Sequence, residues 1–424
     1  MQSREEIIQA ILNLRQIFAA INSTPMVFVF KDFAQGQPIL AVGKNADMKQ
    51  KLSSIIISQS NENFGTALQV YNRYKNLFMY DDVCFFSESP TSFTFFRGYD
   101  FSADEGFNEA AIDLFTNFVY EIICDREDSV YEYLMQWIAQ IVQQPWSKLE
   151  TSLVILGETR KGKTTFTNIL CHLLGRYAVP NITDMNHVLG MFNSVFENKR
   201  LVIVNEVESV AESRRMNFER LKTLISDKTV SYNRKYGAMG QGVNSAHFIF
   251  TSNNPVPLPI APNDARFVVM KVSPDRKMDT DFFRQLHSTL TKEFFENLMY
   301  FFMNLDISGF EHRDIPLTEA KRIIMEACAS PVETFIQECW RTIYNVTGPD
   351  LFQLFKTFCK ESSIPIPGFG KNIFLAEMFQ FTGEPTQKKV GKRNLKVYNL
   401  KPEVIAHLEE IDPQIEPEND GDTQ

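Results

Sequence analysis

Residues 153–164 read Leu-Val-Ile-Leu-Gly-Glu-Thr-Arg-Lys-Gly-Lys-Thr. Four consecutive apolar residues without alternation predict a strand buried on both faces. The residues after it, Gly157-Glu158-Thr159-Arg160-Lys161-Gly162-Lys163-Thr164, fit the pattern Gly-x-x-x-x-Gly-Lys-[Ser/Thr]. Glycines at both ends let backbone N–H groups turn inward on an anion, and a helix starting at the second glycine aims its N-terminus at the same point. Lys163 is then expected to reach the β- and γ-phosphates of a nucleotide, and the Thr164 hydroxyl to hold Mg²⁺. With Thr165 completing the turn, Gly157 through Thr165 are the candidate phosphate cradle. The competing reading is a glycine-rich turn with an unrelated lysine. The strand before the run and the helical pattern after it count against that.

Further buried-strand runs occur at 201–204, 248–250 and 267–272, with helical patterns at 164–174 and 216–225 between them. Alternation of this kind predicts an α/β fold with a parallel or mostly parallel sheet. Two strand ends are polar. Asn205-Glu206 follows the second run, which makes Glu206 the candidate general base and Asn205 a neutral or water-mediated metal neighbour, with Glu208 in reserve. Asn253 follows the third run and can hold a lytic water by its amide. The alternatives are solvated acids at 206 and 208, and an ordered turn at Asn254 before the prolines at 255, 257, 259 and 262. Arg266, in Asp264-Ala265-Arg266, is a candidate arginine finger. Its competing role is a surface ion pair with Asp264, worth ~0–1 kcal/mol.

At 424 residues the chain has room for two or three domains. Residues 1–107 read as an α+β module: an amphipathic helix carrying Ile7, Ile8, Ile11, Leu14, Ile17, Phe18 and Ile21, then short strands at 26–30, 83–86 and 93–96. Residues 108–147 are helical and close at Pro145, 148–275 hold the α/β core, and 276–314 form a helical extension. In 315–401 three helical segments precede a basic hairpin (Lys388, Lys389, Lys392, Arg393), a winged-helix-like order. Residues 402–424, with eight acids and no Lys or Arg, are expected to be a disordered tail.

A 22% charged, 44% hydrophobic composition with 37 phenylalanines excludes a disordered or fibrous chain. The net charge of −9 argues against a basic coat, though not against a local basic channel. Six cysteines without a Cys-x-x-Cys pair read as reduced thiols, with no structural metal. No apolar run reaches the roughly 18 residues of a membrane span, so the expected setting is intracellular.

These motifs and their order resemble superfamily 3 helicases, the AAA+ ring ATPases of small DNA viruses, phages and plasmids, and are most similar to the helicase part of poxvirus- and phage-type primase–helicases. Phe93-Thr94-Phe95-Phe96-Arg97-Gly98 is similar to a short element upstream of the ATPase in that family. The stretch from Trp137 to Pro145 resembles its helical lead-in, and His187-Val188-Leu189-Gly190-Met191-Phe192-Asn193 its segment between the first two motifs. The likeness covers roughly residues 90–275 and weakens towards 400. It implies a P-loop AAA+ core in which the Gly157–Thr164 cradle is Walker A, Asn205-Glu206 Walker B, Asn253 sensor 1 and Arg266 the finger. Asn205 departs from the usual Asp, and Ala265 from the first arginine of the usual Arg-Arg-Phe.

By the same resemblance, residues 228–250 form a channel hairpin, with strands at 229–235 and 243–250 and three glycines in 236–242 between them. Arg234, Lys235 and Tyr236 would grip the nucleic acid. A solvated basic turn is the alternative. The implied protein is an ATP- and Mg²⁺-dependent helicase of six subunits on single-stranded DNA, working with a separate primase or polymerase. Residues before 150 would be its collar. Rival readings are a loader, packaging motor or RNA remodeller, and a winged-helix replication initiator with nucleotide as a switch. Residues 1–107 contain no carboxylate cluster suited to primase chemistry.

Overall fold

In the computed structural model, which describes residues 4–22, 27–34, 37–43, 45–56, 65–102, 106–191, 193–206, 215–233, 240–261, 264–275, 280–366, 369–390 and 393–411, five strands lie side by side and all run parallel. They are β1 (Ser152–Leu156), β2 (Ala178–Ile182), β3 (Leu201–Val204), β4 (His247–Ser252) and β5 (Phe267–Lys271), in the order β5-β1-β4-β3-β2. Every residue of β1, β3 and β4 is buried. That is why their sequences are unbroken apolar runs, since helices cover both faces of a parallel sheet. β2 has no such signature. It is an edge strand whose register slips between Val179 and Ile182, around Pro180, and a proline is tolerated at an edge.

One face of the sheet packs on α1 (Asp128–Gln143), α2 (Lys163–Leu174) and, beyond α3 (Thr280–Thr289), α4 (Lys292–Asn304). Trp137, Phe166, Phe294, Leu298 and Phe302 form the centre of this core. The guanidinium of Arg200, just before β3, is entirely buried under it. It donates to the carbonyls of Ile141 (3.0 Å), Gln144 (3.2 Å), Ser147 (2.8 Å) and Ser245 (3.2 Å). Two of these belong to the last turn and cap of α1, where helix carbonyls have no intrahelical partner and a cation is favoured. Burial lowers the Arg200 pKa to about 10.

The chain divides into two units, Met1–Ile324 and Met325–Gln424. In the first, the N-terminal helix spans Arg4–Ile17 and not the whole expected stripe: Phe18–Ile21 is a strand antiparallel to Val27–Ala34. Phe18-Ala19-Ala20-Ile21 is buried at all four positions, so an unbroken apolar run prevailed over the helical spacing of its two large residues. The strand belongs to a four-stranded sheet with Val27–Ala34, Gln37–Gly43 and Met79–Tyr80. Leu14, Phe18, Leu52, Val70 and Phe78 are its core.

The hairpin expectation also needs correction. Its strands are Thr229–Tyr232 and Gly240–Val243, while 247–252 is β4 of the main sheet. Asn244 breaks the ladder because its side chain donates to the carbonyls of Leu224 (2.7 Å) and Asp227 (2.8 Å) at the end of the preceding helix.

In the second unit, helices Pro331–Cys339, Gly348–Glu361 and Lys371–Thr382 precede a hairpin of Thr386–Val390 and Arg393–Tyr398, and Val346–Thr347 adds a third strand. Phe355 and Phe374 stack at 4.6 Å in its core. Residues 402–411, expected in the acidic tail, form the helix Pro402–Ile411. Leu408 is buried there, so three apolar contacts outweigh the local charge: Val404 and Ile405 pack on the same cluster. Residues 412–424 lie outside the described residues.

Candidate active site

β1 ends at Leu156 and the chain enters the cradle through Gly157, whose φ is +151°. A Cβ there would lie 2.2 Å from Val272 Cγ2, so only glycine lets the loop leave the sheet at this point. Gly162, at φ +90°, starts α2 against the rings of Phe118 and Phe283, where a Cβ would come to 2.8 Å and 3.2 Å. The turn between them also holds Arg160 at φ +61°, a left-handed conformation that a non-glycine residue rarely adopts.

Lys163 is the first residue of α2 and is buried. Its ammonium donates to the Asn253 Oδ1 at 2.9 Å, to the Glu158 carbonyl at 2.8 Å and to the Gly157 carbonyl. Loss of water is the main cause of a pKa lowered to about 8. Glu158 opposes that shift and Lys161 adds to it. The Lys161 ammonium turns away from the cradle and donates to the Pro274 carbonyl at 2.9 Å. Of the remaining cradle residues, Glu158, Thr159, Arg160 and Thr164 are exposed, and Thr165 is half-buried.

Sheet order explains how Asn253 reaches Lys163. β4 lies beside β1 with Ser252 paired to Leu156, so the residue after β4 faces the cradle entrance. On its other side β4 pairs with β3. There Asn205 is clamped: its Oδ1 accepts from Thr251 Oγ1 (2.9 Å) and its Nδ2 donates to Asn181 Oδ1 (2.8 Å). Glu206 is exposed and sits at φ +57°. Strain of this kind persists only where the surroundings hold the backbone. Strands β1, β3 and β4 therefore bring Lys163, Asn253, Asn205 and Glu206 to one end of the sheet.

Arg266 lies at the other end. Its carbonyl accepts from the Ser152 N–H at 2.7 Å, at the start of β1, so the length of that strand, roughly 17 Å, separates it from the cradle. Its guanidinium, 40% exposed, pairs with the buried carboxylate of Asp264 (3.2 Å) and donates to Ser226 Oγ (2.8 Å). The ion pair weighed from the sequence thus forms, but with the Asp264 carboxylate buried instead of at the surface. Arg234, Lys235, Tyr236 and Glu208 lie outside the described residues.

Sequence reasoning missed a cleft of about 450 Å³ beside the cradle, lined by Arg160, Gly162, Thr165 and, from α3, Thr280, Phe283, Arg284 and His287. The only signal was an aromatic, an arginine and a histidine at helical spacing in a segment read as a plain extension. Thr251 and Asn181, which hold Asn205, had no signal at all.

The donor set suits Mg²⁺ bound through a nucleotide and not within an all-protein cage. The site offers scattered hydroxyls (Thr159, Thr164, Thr165) and the carboxylates of Glu158 and Glu206, and among the described residues no cluster of three His, Cys, Asp or Glu could hold a metal.

Residues 155–266 match a family of unknown function, DUF5906. The match begins in β1 and ends at Arg266. The chain is also 26% identical over 197 residues to the DNA Primase-polymerase of Nitratiruptor phage NrS-1. That alignment covers 46% of this chain and 27% of the relative, so the likeness concerns a little over a quarter of the phage protein. The apo structure of the NrS-1 C-terminal region superposes with a TM-score of 0.61 at 16% identity, covering 94% of this chain and 100% of that one. A second apo structure of the same region, its A form, gives 0.61 over 93% of this chain and 99% of that one. The fold is shared. It is a mixed α/β fold with a parallel sheet and many helices. No helix among the described residues is long and apolar enough to cross a membrane.

Proposed function

We propose that this chain is an ATP-dependent ring helicase of the superfamily 3 type, which translocates on single-stranded DNA and opens duplex during replication of a phage or similar genome. The observation that carries this reading is the hydrogen bond between Lys163 and Asn253. It joins the cradle lysine to a strand-end amide on the neighbouring strand, the pairing that phosphate binding and water positioning both need. The likeness to the NrS-1 primase-polymerase supports the replication setting. The order of strands around the cradle, with Asn205-Glu206 and Asn253 at neighbouring strand ends, supports a core of AAA+ type.

In this reading ATP enters with its triphosphate over residues 157–164 and its base towards the Phe283 cleft. Lys163 exchanges its three oxygen acceptors for phosphate oxygens, which releases the Asn253 amide to hold the attacking water. Glu206 takes the proton from that water. Mg²⁺, held by Thr164 with Glu206 nearby, would offset charge on the β- and γ-oxygens. Arg266 is too far to serve its own cradle and acts on that of an adjacent subunit, which requires a closed ring, of six subunits by family likeness. The hairpin rooted at Thr229 and Val243 grips the strand through Arg234, Lys235 and Tyr236, which lie between its two strands in sequence. The second unit is winged-helix-like, and its Lys388 and Lys389 hairpin touches duplex or a separate primase or polymerase.

Replacing Lys163 with alanine tests the core of this reading. Nucleotide hydrolysis should vanish while the fold survives, and an alanine variant that still turns ATP over at the wild-type rate removes the cradle from the mechanism.

A further inference from the structure

Trp146 is 60% exposed, yet a chain of rings sets its position. Its ring lies 5.3 Å from that of Phe86, Phe86 lies 6.0 Å from Phe96, and Phe96 lies 5.2 Å from the buried Tyr177. The residues that follow Trp146 are pinned to the stretch leading out of the hairpin. The carbonyls of Ser147 and Ser245 share one guanidinium nitrogen of Arg200. The Lys148 ammonium donates to the Ala246 carbonyl, and the Leu149 N–H to His247 Nε2 at 2.9 Å. At the foot of the outgoing strand, Lys228 is exposed, and its carbonyl accepts from the Asn244 N–H at 2.9 Å.

A solvent-facing indole packed on Phe86 therefore precedes a segment tied to the residues leaving the hairpin, and the exposed Lys228 lies at the foot of the hairpin's first strand. Flat apolar rings joined by anions are the ligand that this pairing complements. Bases stack on aromatic side chains whatever their sequence, while nearby cations track the backbone. We infer that Trp146, backed by Phe86, is a stacking site for an unpaired base of the single strand. This rests on the single-strand reading above. It adds a contact outside the hairpin turn, on the segment that joins α1 to β1. A base held there lies beside the hairpin root, so the strand is read at two points of each subunit.

The test is binding of a fluorescently labelled oligothymidylate to the full chain without nucleotide, across a salt series. Trp146→Ala should weaken binding roughly 5- to 150-fold, the range for losing one stacked base, and Trp146→Phe should restore most of it. Stacking makes no phosphate contact, so the slope of log affinity against log salt should stay at its wild-type value in Trp146→Ala. Lys228→Ala should lower that slope by about one contact. Basal ATP turnover should be unchanged in Trp146→Ala. The stacking site is overturned if Trp146→Ala binds the strand as wild type does, or if its effect is a change in self-association, which would make the indole a contact between copies. A wild-type chain that binds no strand at all would instead overturn the helicase reading, and this site with it.

Discussion

The Nζ of Lys163 and the Oδ1 of Asn253, 90 residues apart, are hydrogen-bonded at 2.9 Å, so the cradle and the strand-end amide hold each other before any phosphate arrives. In the mechanism proposed above, this bond couples phosphate binding to water positioning. Removing the amide separates them. Asn253→Ala should bind ATP at least as well as wild type, because Lys163 loses a competing acceptor. Its turnover should fall by about 100-fold, a usual loss for one positioned group. Nucleotide affinity and single-turnover hydrolysis measured on the same variant check both halves. Loss of affinity with turnover intact would assign Asn253 a purely structural role.

The lowered pKa of Lys163 has a consequence for binding. In the free protein the ammonium titrates at about 8 because it is desolvated. Phosphate oxygens favour the charged form, so the pKa is higher in the complex. Below pH 8 both states are protonated and affinity does not depend on this group. Above it, binding must take up a proton, and affinity should drop by nearly tenfold per pH unit. Calorimetric titrations with a non-hydrolysable ATP analogue between pH 7 and 9.5 would show the break. Lys163→Arg, which stays charged throughout, should bind more weakly at pH 7 but with no break near 8.

Arg200 is a large, fully buried polar side chain that sequence reading passed over. Truncating it to alanine takes a donor from four carbonyls, of which Gln144 keeps the Ser147 N–H and hydroxyl and Ile141 the Tyr99 hydroxyl, and opens a cavity under α1. The cost should be about 3–5 kcal/mol, from orphaned polar groups and lost packing together. Arg200→Lys should recover little of it, because an ammonium lacks the planar fork that spans carbonyls from two segments. Chemical denaturation of the three proteins gives the comparison. A loss below 1 kcal/mol for alanine would mean that α1 ends are satisfied by water.

Much of the site was legible because its chemistry is compressed into short runs. The cradle, Glu206 and Asn253 each follow an apolar run whose burial on both faces shows directly in the sequence. β2 was not legible, since an edge strand needs no apolar run and Pro180 and Asn181 interrupt it. Arg200 looked like any charged residue before a strand, and only tertiary folding brings it to the end of α1. The Phe283 cleft was hidden for a related reason: one face of α3 serves packing and the other the cleft, and periodicity cannot tell them apart. The helix over 402–411 was missed because local charge outweighed three apolar residues whose partners are distant in sequence.

Arg266 separates the ring reading from any single-subunit mechanism. It sits at the start of β5, one strand length from its own cradle, with its guanidinium on Asp264 and Ser226. The Asp264 carboxylate is buried and keeps only the Arg266 backbone N–H when the guanidinium is removed, so Arg266→Ala should fold but with stability lowered by about 1–3 kcal/mol. It should still bind ATP. Its turnover should fall by at least 10³-fold if the guanidinium stabilises transition-state charge on a neighbour. Glu206→Gln should be equally inactive for the opposite reason, since it lacks the base and keeps the arginine. Mixed rings then decide the geometry. A site built from the Glu206 of an Arg266→Ala subunit and the Arg266 of a Glu206→Gln subunit is complete, so mixing two inactive proteins should restore a measurable fraction of turnover. If every mixing ratio stays as inactive as the parents, Arg266 does not act across a subunit boundary, and its bond to Asp264 is its whole role.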